Sequence, residues 1–293
     1  MTMRYRIRHR TEYQYSEPVA ISHNVLHLAP RPTLTQRVHA HNLELRPIAA
    51  VRHAATDWFG NTVVHATVQE PHVKLVIAAT SEVETVAPDP RDFSLSRPWE
   101  QVAIALSERL PDPSLREVVE FRFASPKIPI GDAFGELART SFTSGRPLLP
   151  SALDLTQRIH RDFVYDATAT DVDTPVATVL AQRRGVCQDF AHLMVAGLRS
   201  LGLAARYVSG YLETRPPPGV PRLIGADASH AWVQIYDPLF GWVDLDPTNG
   251  IMPEDRHITV AWGRDVGDVS PTKGMILGGG QHGVHVSVDV EAI

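Results

Sequence analysis

Cys187 is the single cysteine in a chain of 293 residues. One thiol cannot form an intramolecular disulfide, and it excludes a multi-cysteine zinc or iron–sulfur site. Two uses remain, packing or nucleophilic chemistry. The spacing of Cys187, Ala191, Met194, Val195 and Leu198 puts the thiol on the apolar face of a helix predicted from Cys187 to Leu201, where it could be a small core residue. Its place at the start of that helix argues for more. A thiol there faces unpaired backbone N–H groups and the positive end of the helix dipole, and both stabilise a thiolate. Arg183 and Arg184 add positive charge upstream, and Gly185 allows a tight turn before the thiol. The same N–H groups could hold an oxyanion after attack on a carbonyl.

A cysteine nucleophile needs a base, and the base needs an orienting partner. In the run Ser229 to Tyr236, the side chains of His230, Trp232, Gln234 and Tyr236 share one face of a predicted strand, and the odd positions Ala231, Val233 and Ile235 are apolar. Trp242 to Asp246 repeats the pattern, with Val243 and Leu245 apolar. A turn that sets Tyr236 opposite Trp242 sets Trp232 opposite Asp246. His230 is then a diagonal neighbour of Asp246, about 7–8 Å away between backbones and within side-chain reach. Without Cys187 the plain reading would be a strand-edge histidine and two exposed aspartates.

Other candidates carry less. His192 lies about 140° around the helix from Cys187 and reads as structural. Asp189, in the first helical turn, is explained by the dipole. His39 and His41 share a strand face without an evident carboxylate or thiolate companion, so no zinc site is expected there. Asp57 to Asn61 reads as a turn. The Gly278 to Gly280 run lacks a P-loop's lysine and following helix. His282 and His285 read as surface residues. No metal site, calcium loop or cofactor motif is expected.

The elements that must position these residues fall into three stretches. Residues 1–86 alternate at period 2, in Arg4 to Tyr15, Gln36 to Arg46, Thr62 to Val68 and Val73 to Val86, and predict an antiparallel β domain, sandwich-like. Residues 87–130 hold closely spaced prolines and predict an ordered connector with short helices around Glu100 to Arg109 and Ser114 to Phe121. Residues 131–293 change to helical spacing. Caps are predicted at Asp132, at Ser151 and at Thr174 ahead of Pro175. After Gly202 period 2 returns, with strands at Ala205 to Leu212, His230 to Tyr236, Trp242 to Asp246 and Val284 to Val290. Pro216 to Pro221 predicts a rigid loop that could rim a cleft. The fold class is α+β.

Composition excludes several functions. The formal net charge of −5 gives no broad positive field for nucleic acid. The longest apolar runs, such as Leu75 to Ala79, are far short of a membrane span. The opening MTMRYRIRHRTEYQY is basic without the apolar stretch of a secretory signal. With no disulfide to maintain, a cytoplasmic setting is expected. Nothing in the sequence sets the oligomeric state.

The blocks Gly185-Val186-Cys187-Gln188-Asp189-Phe190-Ala191-His192, Ser229-His230-Ala231-Trp232 and Gly241-Trp242-Val243-Asp244-Leu245-Asp246-Pro247-Thr248 resemble the bacterial transglutaminase-like superfamily. The resemblance covers about residues 130 to 250. The opening Arg4-Tyr5 to Tyr15-Ser16, with Asn24 and Leu28-Ala29-Pro30, is similar to that family's β-rich N-terminal domain. The resemblance implies a papain-like core, a cysteine-bearing helix packed on an antiparallel sheet. It also implies Cys187 as nucleophile, His230 as general base and acid, and Asp246 rather than Asp244 as orienter. The expected chemistry is acyl transfer on a peptide or protein amide through a thioester. Tyr165 is a candidate second oxyanion donor beside the Cys187 N–H, and Trp232 a candidate cleft wall. Hydrolysis is the leading outcome. Transamidation of glutamine and a catalytically silent binding module stay open.

Overall fold

The computed structural model describes residues 2–88, 90–107, 115–214 and 229–293. The chain opens with β1 (Thr2–Leu26), β2 (Gln36–Arg46), β3 (Val51–Thr56), β4 (Thr62–Val68) and β5 (His72–Val86). β1 runs on well past Tyr15. Its first half pairs with β5 and its second half with β4, across an irregularity between Gln14 and Val19. In the first half Tyr5, Ile7, His9 and Thr11 point inward. Arg4 and Arg6 point outward and pair with Glu82 at 3.1 and 3.0 Å.

The result is one curled antiparallel sheet, sandwich-like in packing but continuous in its hydrogen bonding. Val19, Leu26, Leu43, Leu45, Val64, Ala66, Leu75 and Ile77 fill the space inside the curl. Tyr5, Ile7 and Val83 instead join the core of the second half of the molecule.

The connector carries α1 (Trp99–Ser107) and α2 (Arg116–Glu120). Next come α3 (Asp132–Arg139), α4 (Leu148–Asp162), the two-residue strand β6 (Val164–Tyr165), α5 (Val176–Gln182), the two-residue strand β7 (Arg184–Gly185) and α6 (Cys187–Ser200). The expected caps shift. Gly131 and Pro147 take the cap positions, and Asp132 and Ser151 lie inside the first turns. Pro150 is tolerated in α4 because first-turn N–H groups have no intrahelical acceptor. Pro175, not Thr174, caps α5.

β8 (Ala205–Leu212), β9 (Ser229–Asp237), β10 (Gly241–Leu245) and β11 (His257–Gly263) form an antiparallel sheet in the order β10-β9-β8-β11. α6 packs on β8 and β9 and is sheathed by α3, α4 and α5. Its residues from Asp189 to Arg199 are all buried. A helix buried all round is held by its neighbours rather than by one apolar stripe. Arg199 is buried at its C-terminal turn and donates to the carbonyls of Phe121, Phe123, Ala205 and Arg264. It thereby pins the connector to the core.

After α7 (Val266–Val269), β12 (Thr272–Gly278) and β13 (His282–Ala292) return to the N-terminal sheet and pair with opposite halves of β1. The C-terminal extension expected within 131–293 thus gives its last two strands to the N-terminal sheet. The glycine run sits where this last stretch turns the same corner as β1. Gly278, Gly279 and Gly280 all have left-handed φ values, of 94°, 92° and 58°. Among the described residues no helix is long and apolar enough to cross a membrane.

Candidate active site

α5 ends at Gln182, and Arg183 follows in the left-handed region at φ 53°. β7 then pairs in parallel with β6, bringing Tyr165 beside Gly185. Val186 is extended and caps α6, so Cys187 is the first helical residue. Asp189 closes the turn. Its Oδ2 accepts the N–H of Val186 at 2.8 Å and the hydroxyl of Thr170 at 2.6 Å.

Gly185 has a different task from the one expected. The left-handed residue is Arg183, and Gly185 provides room. A Cβ at position 185 would lie 2.6 Å from Asp189 Oδ2 and 2.9 Å from its Cβ. The thiol is half-buried at the exposed end of an otherwise buried helix.

The β9–β10 register sets Tyr236 opposite Trp242 and Gln234 opposite Asp244, the pairing the alternation implied. His230 Nε2 meets Asp246 Oδ2 at 2.8 Å. Cys187 lies near enough to the imidazole to favour its charged form. With Nε2 held by the carboxylate, Nδ1 is the nitrogen left for sulfur. Cys187, His230 and Asp246 therefore meet at one spot. Burial opposes charge on His230, but the hydrogen bonds and negative charges of Asp246 and Cys187 outweigh it and push it up to about 10.

Asp246 is fully buried and held from every side. Its Oδ1 accepts the N–H groups of Thr248 and Asn249 at 2.9 and 3.1 Å. Its Oδ2 accepts Asn249 Nδ2 at 2.6 Å and His257 Nε2 at 3.0 Å besides His230. Burial alone would raise its pKa, yet the bonds from His230, His257 and Asn249 hold it well below the usual carboxylate range. The turn that carries it is tied to α4, where His160 Nδ1 donates to the Thr248 carbonyl at 2.8 Å.

Asp244 points elsewhere. It accepts Trp232 Nε1 at 2.6 Å, and burial raises its pKa. Trp232 is 1% exposed and stacks on His230 at 6.1 Å between ring centres. It is a packed aromatic behind the imidazole and not a wall of an open cleft. His257 and Asn249 had no sequence signal. Asn249 sits three residues past Asp246 in a turn, but His257 arrives on β11 from across β8. His192 is buried, accepts the Val266 N–H at 3.2 Å and is held down at about 4 by burial. It takes no part in the cluster.

Tyr165 is 57% exposed. Its pKa is raised by partial burial and by the negative charge of the nearby Cys187. His39 does have a carboxylate companion, Glu84 at 3.3 Å, and His41 bonds to Ser81. The Pro216 to Pro221 loop lies outside the described residues. Among the described residues, His230, Asp246 and His257 are the group whose ligand atoms gather closely enough, within 4.8 Å, for a metal ion. Each of those three atoms is already engaged in the hydrogen bonds given above.

Two family models match the chain. One, described as bacterial transglutaminase-like N-terminal region, matches residues 5–84. The other, described as transglutaminase-like superfamily, matches residues 136–247 and so spans Cys187, His230 and Asp246. An uncharacterised protein of Mycobacterium tuberculosis is 44% identical over 297 residues, covering 99% of this chain and 93% of its own length. A protein-glutamine gamma-glutamyltransferase of Pseudomonas aeruginosa is 36% identical over 98 residues, 32% of this chain and 15% of that one. A solved structure from Cytophaga hutchinsonii, described as a candidate cysteine protease, shares the fold. It has a TM-score of 0.75 at 20% identity and covers 100% of this chain and 91% of that one.

Proposed function

This chain belongs to the transglutaminase-like superfamily, and on that premise we propose that it is a cysteine-dependent enzyme that hydrolyses a peptide or other amide through a thioester on Cys187. The observation that carries the reading is the bond from His230 Nε2 to Asp246 Oδ2 at 2.8 Å, with Cys187 near enough to raise the pKa of that imidazole. A thiol beside an imidazole that favours its proton supplies a thiolate and an acid together. Asp246, held by five donors, fixes the ring orientation and stabilises the imidazolium.

The proposed steps follow from these positions. The Cys187 thiolate attacks the amide carbonyl, and its electron pair moves onto oxygen. The Cys187 N–H, free of an intrahelical acceptor, donates to that oxyanion. Tyr165 is the proposed second donor, brought beside Gly185 by the β6–β7 pairing. As the tetrahedral adduct collapses, the C–N bond breaks and His230 gives its proton to the leaving amine. Water then enters. His230 takes its proton, the C–S bond breaks, and the acid leaves.

An amine in place of water would make the reaction a transamidation. The 98-residue similarity to a gamma-glutamyltransferase favours keeping that outcome in the test. A cytoplasmic setting, with no disulfide to maintain, is part of the proposal.

The experiment offers glutamine-containing peptides with and without a labelled primary amine, to the native chain and to Cys187→Ser. Hydrolysis predicts cleaved peptide or released ammonia with little label incorporated, and an acyl adduct on Cys187 by mass spectrometry. Label joined to glutamine means transfer. Equal product from the two proteins overturns Cys187 as nucleophile, and neither product nor adduct across a broad peptide panel supports the silent binding module instead.

A further inference from the structure

His257 stands behind the proposed catalytic residues and is one of the five donors to Asp246. It enters on β11, opposite Leu212 of β8, with β8 and β9 between it and the strand that leads to Asp246. Gly210 of β8 makes the crossing possible. It lies between His230 on one side and Thr259 on the other. A Cβ there would come within 2.2 Å of the Ile258 carbonyl oxygen and 2.5 Å of the Trp232 ring. Over this bare backbone the Trp232 indole meets the His257 ring edge-on at 5.3 Å, and the rings of His257 and His230 are 5.8 Å apart.

His257 Nε2 is 3.0 Å from Asp246 Oδ2. An ionised carboxylate only accepts, so the proton of that bond belongs to His257 Nε2. In a neutral imidazole Nδ1 is then an acceptor. Nδ1 is buried and has no partner among the described residues. A cavity of about 30 Å³, lined by His257, Asp244, Glu254, Thr33 and Thr259 among others, adjoins the ring. That is room for one water, with polar groups to hold it.

We propose that His257 is a positioning residue that fixes Asp246 against His230 through its Nε2–H, its Nδ1 served by a single water in this cavity. The inference rests on the reading of Cys187, His230 and Asp246 given above. The Nε2–H fills one acceptor site of Asp246 Oδ2 beside His230. Among the described residues, the titratable groups around it are His230, Asp246, Asp244 and Glu254.

Two measurements test this. Long-range ¹H–¹⁵N correlation spectra of the native protein at pH 7 report the His257 tautomer. A ring carrying a proton on Nε2 is expected, and a ring with Nε2 bare overturns the proposal. Iodoacetamide alkylation of Cys187 is then followed from pH 5 to 9 in the native chain, His257→Leu, His257→Gln and His230→Ala. Gln can present an amide N–H to Asp246, and Leu cannot. His257→Leu should lose the fast reaction at low pH by roughly tenfold, the size expected when a supporting hydrogen bond is removed, and His257→Gln should restore most of it. A folded His257→Leu, or a His257→Gln, that behaves oppositely to this order overturns the positioning role. If the native chain shows no excess over His230→Ala at any pH, the parent reading of the site fails, and this inference with it.

Discussion

Two aspartates two residues apart meet opposite fates, and the turn between β10 and β11 is the reason. Asp244 lies on the strand and is taken by Trp232 at 2.6 Å. Asp246 lies just past the strand, where the chain folds back and the N–H groups of Thr248 and Asn249 reach Oδ1. That leaves Oδ2 for the two histidines and the Asn249 amide. Asp246→Asn should therefore lower turnover by about 10³ or more, because an amide reverses the donor sense at His230. Asp244→Asn can still accept from Trp232 and should stay within about tenfold of the native rate, a comparison read from kcat of the two variants under one substrate. Gly185 is the other single residue with a sharp expectation. Gly185→Ala forces Asp189 off the Val186 N–H, so it should cost about 1–3 kcal/mol in urea unfolding. The approach of His230 to Asp246 could be expected before the fold was known, because a period-2 face and a short turn set their directions locally, while the choice of Asp246 over Asp244 came from the family resemblance. His257 was not legible, since two strands separate it from β10 in the sheet.

Strands were read from their period. β2, β4, β5, β8 and β9 sit within a residue or so of the expected spans. β11 was not expected, because polar and apolar residues alternate only over His257 to Val260 before Ala261, Trp262 and Gly263 and both faces are buried. β12 shows the reverse problem. Nearly all of it is exposed, and no face is selected. The second half of β1 was lost at Pro18, which sits in the irregular corner between its two pairing registers. Glycine replacements separate the element that builds the fold from the one that builds the site. Gly279→Ala puts a Cβ 2.9 Å from Val19 Cγ2 at φ 92°, and should lower the melting temperature with no change in Cys187 alkylation of the folded protein. Gly210→Ala drives into the Trp232 ring and the Ile258 carbonyl, and should lower both.

At the scale of the whole molecule, the N-terminal sheet is joined to the core by more than apolar burial. Arg31 lies over the Trp262 ring at 3.2 Å, and Arg206 is sandwiched between Trp262 and Trp242 at 3.7 and 4.1 Å. Asn61 bonds to the Trp262 backbone on both sides of its amide. His9 of β1 reaches across to the Tyr211 hydroxyl of β8 at 3.0 Å. Burial holds His9 down at about 4, as it does His192. A base with a depressed folded pKa binds fewer protons than the unfolded chain between about 4 and 6.5. Its stabilisation is therefore full above 6.5 and is lost as pH falls through that window, by about 2 kcal/mol for each histidine at pH 4.5. Urea unfolding at pH 7 and 4.5 should show that loss, and His9→Gln should show a smaller one. The same assembly of sheet, helix and connector has one chemical purpose in this account, to set a thiolate against an imidazolium on a fixed carboxylate. The rate of iodoacetamide alkylation of Cys187 at pH 6 tests it directly. The native protein should react much faster than a free thiol, and His230→Ala should fall to the free-thiol rate. Equal rates in the native protein and His230→Ala would contradict it.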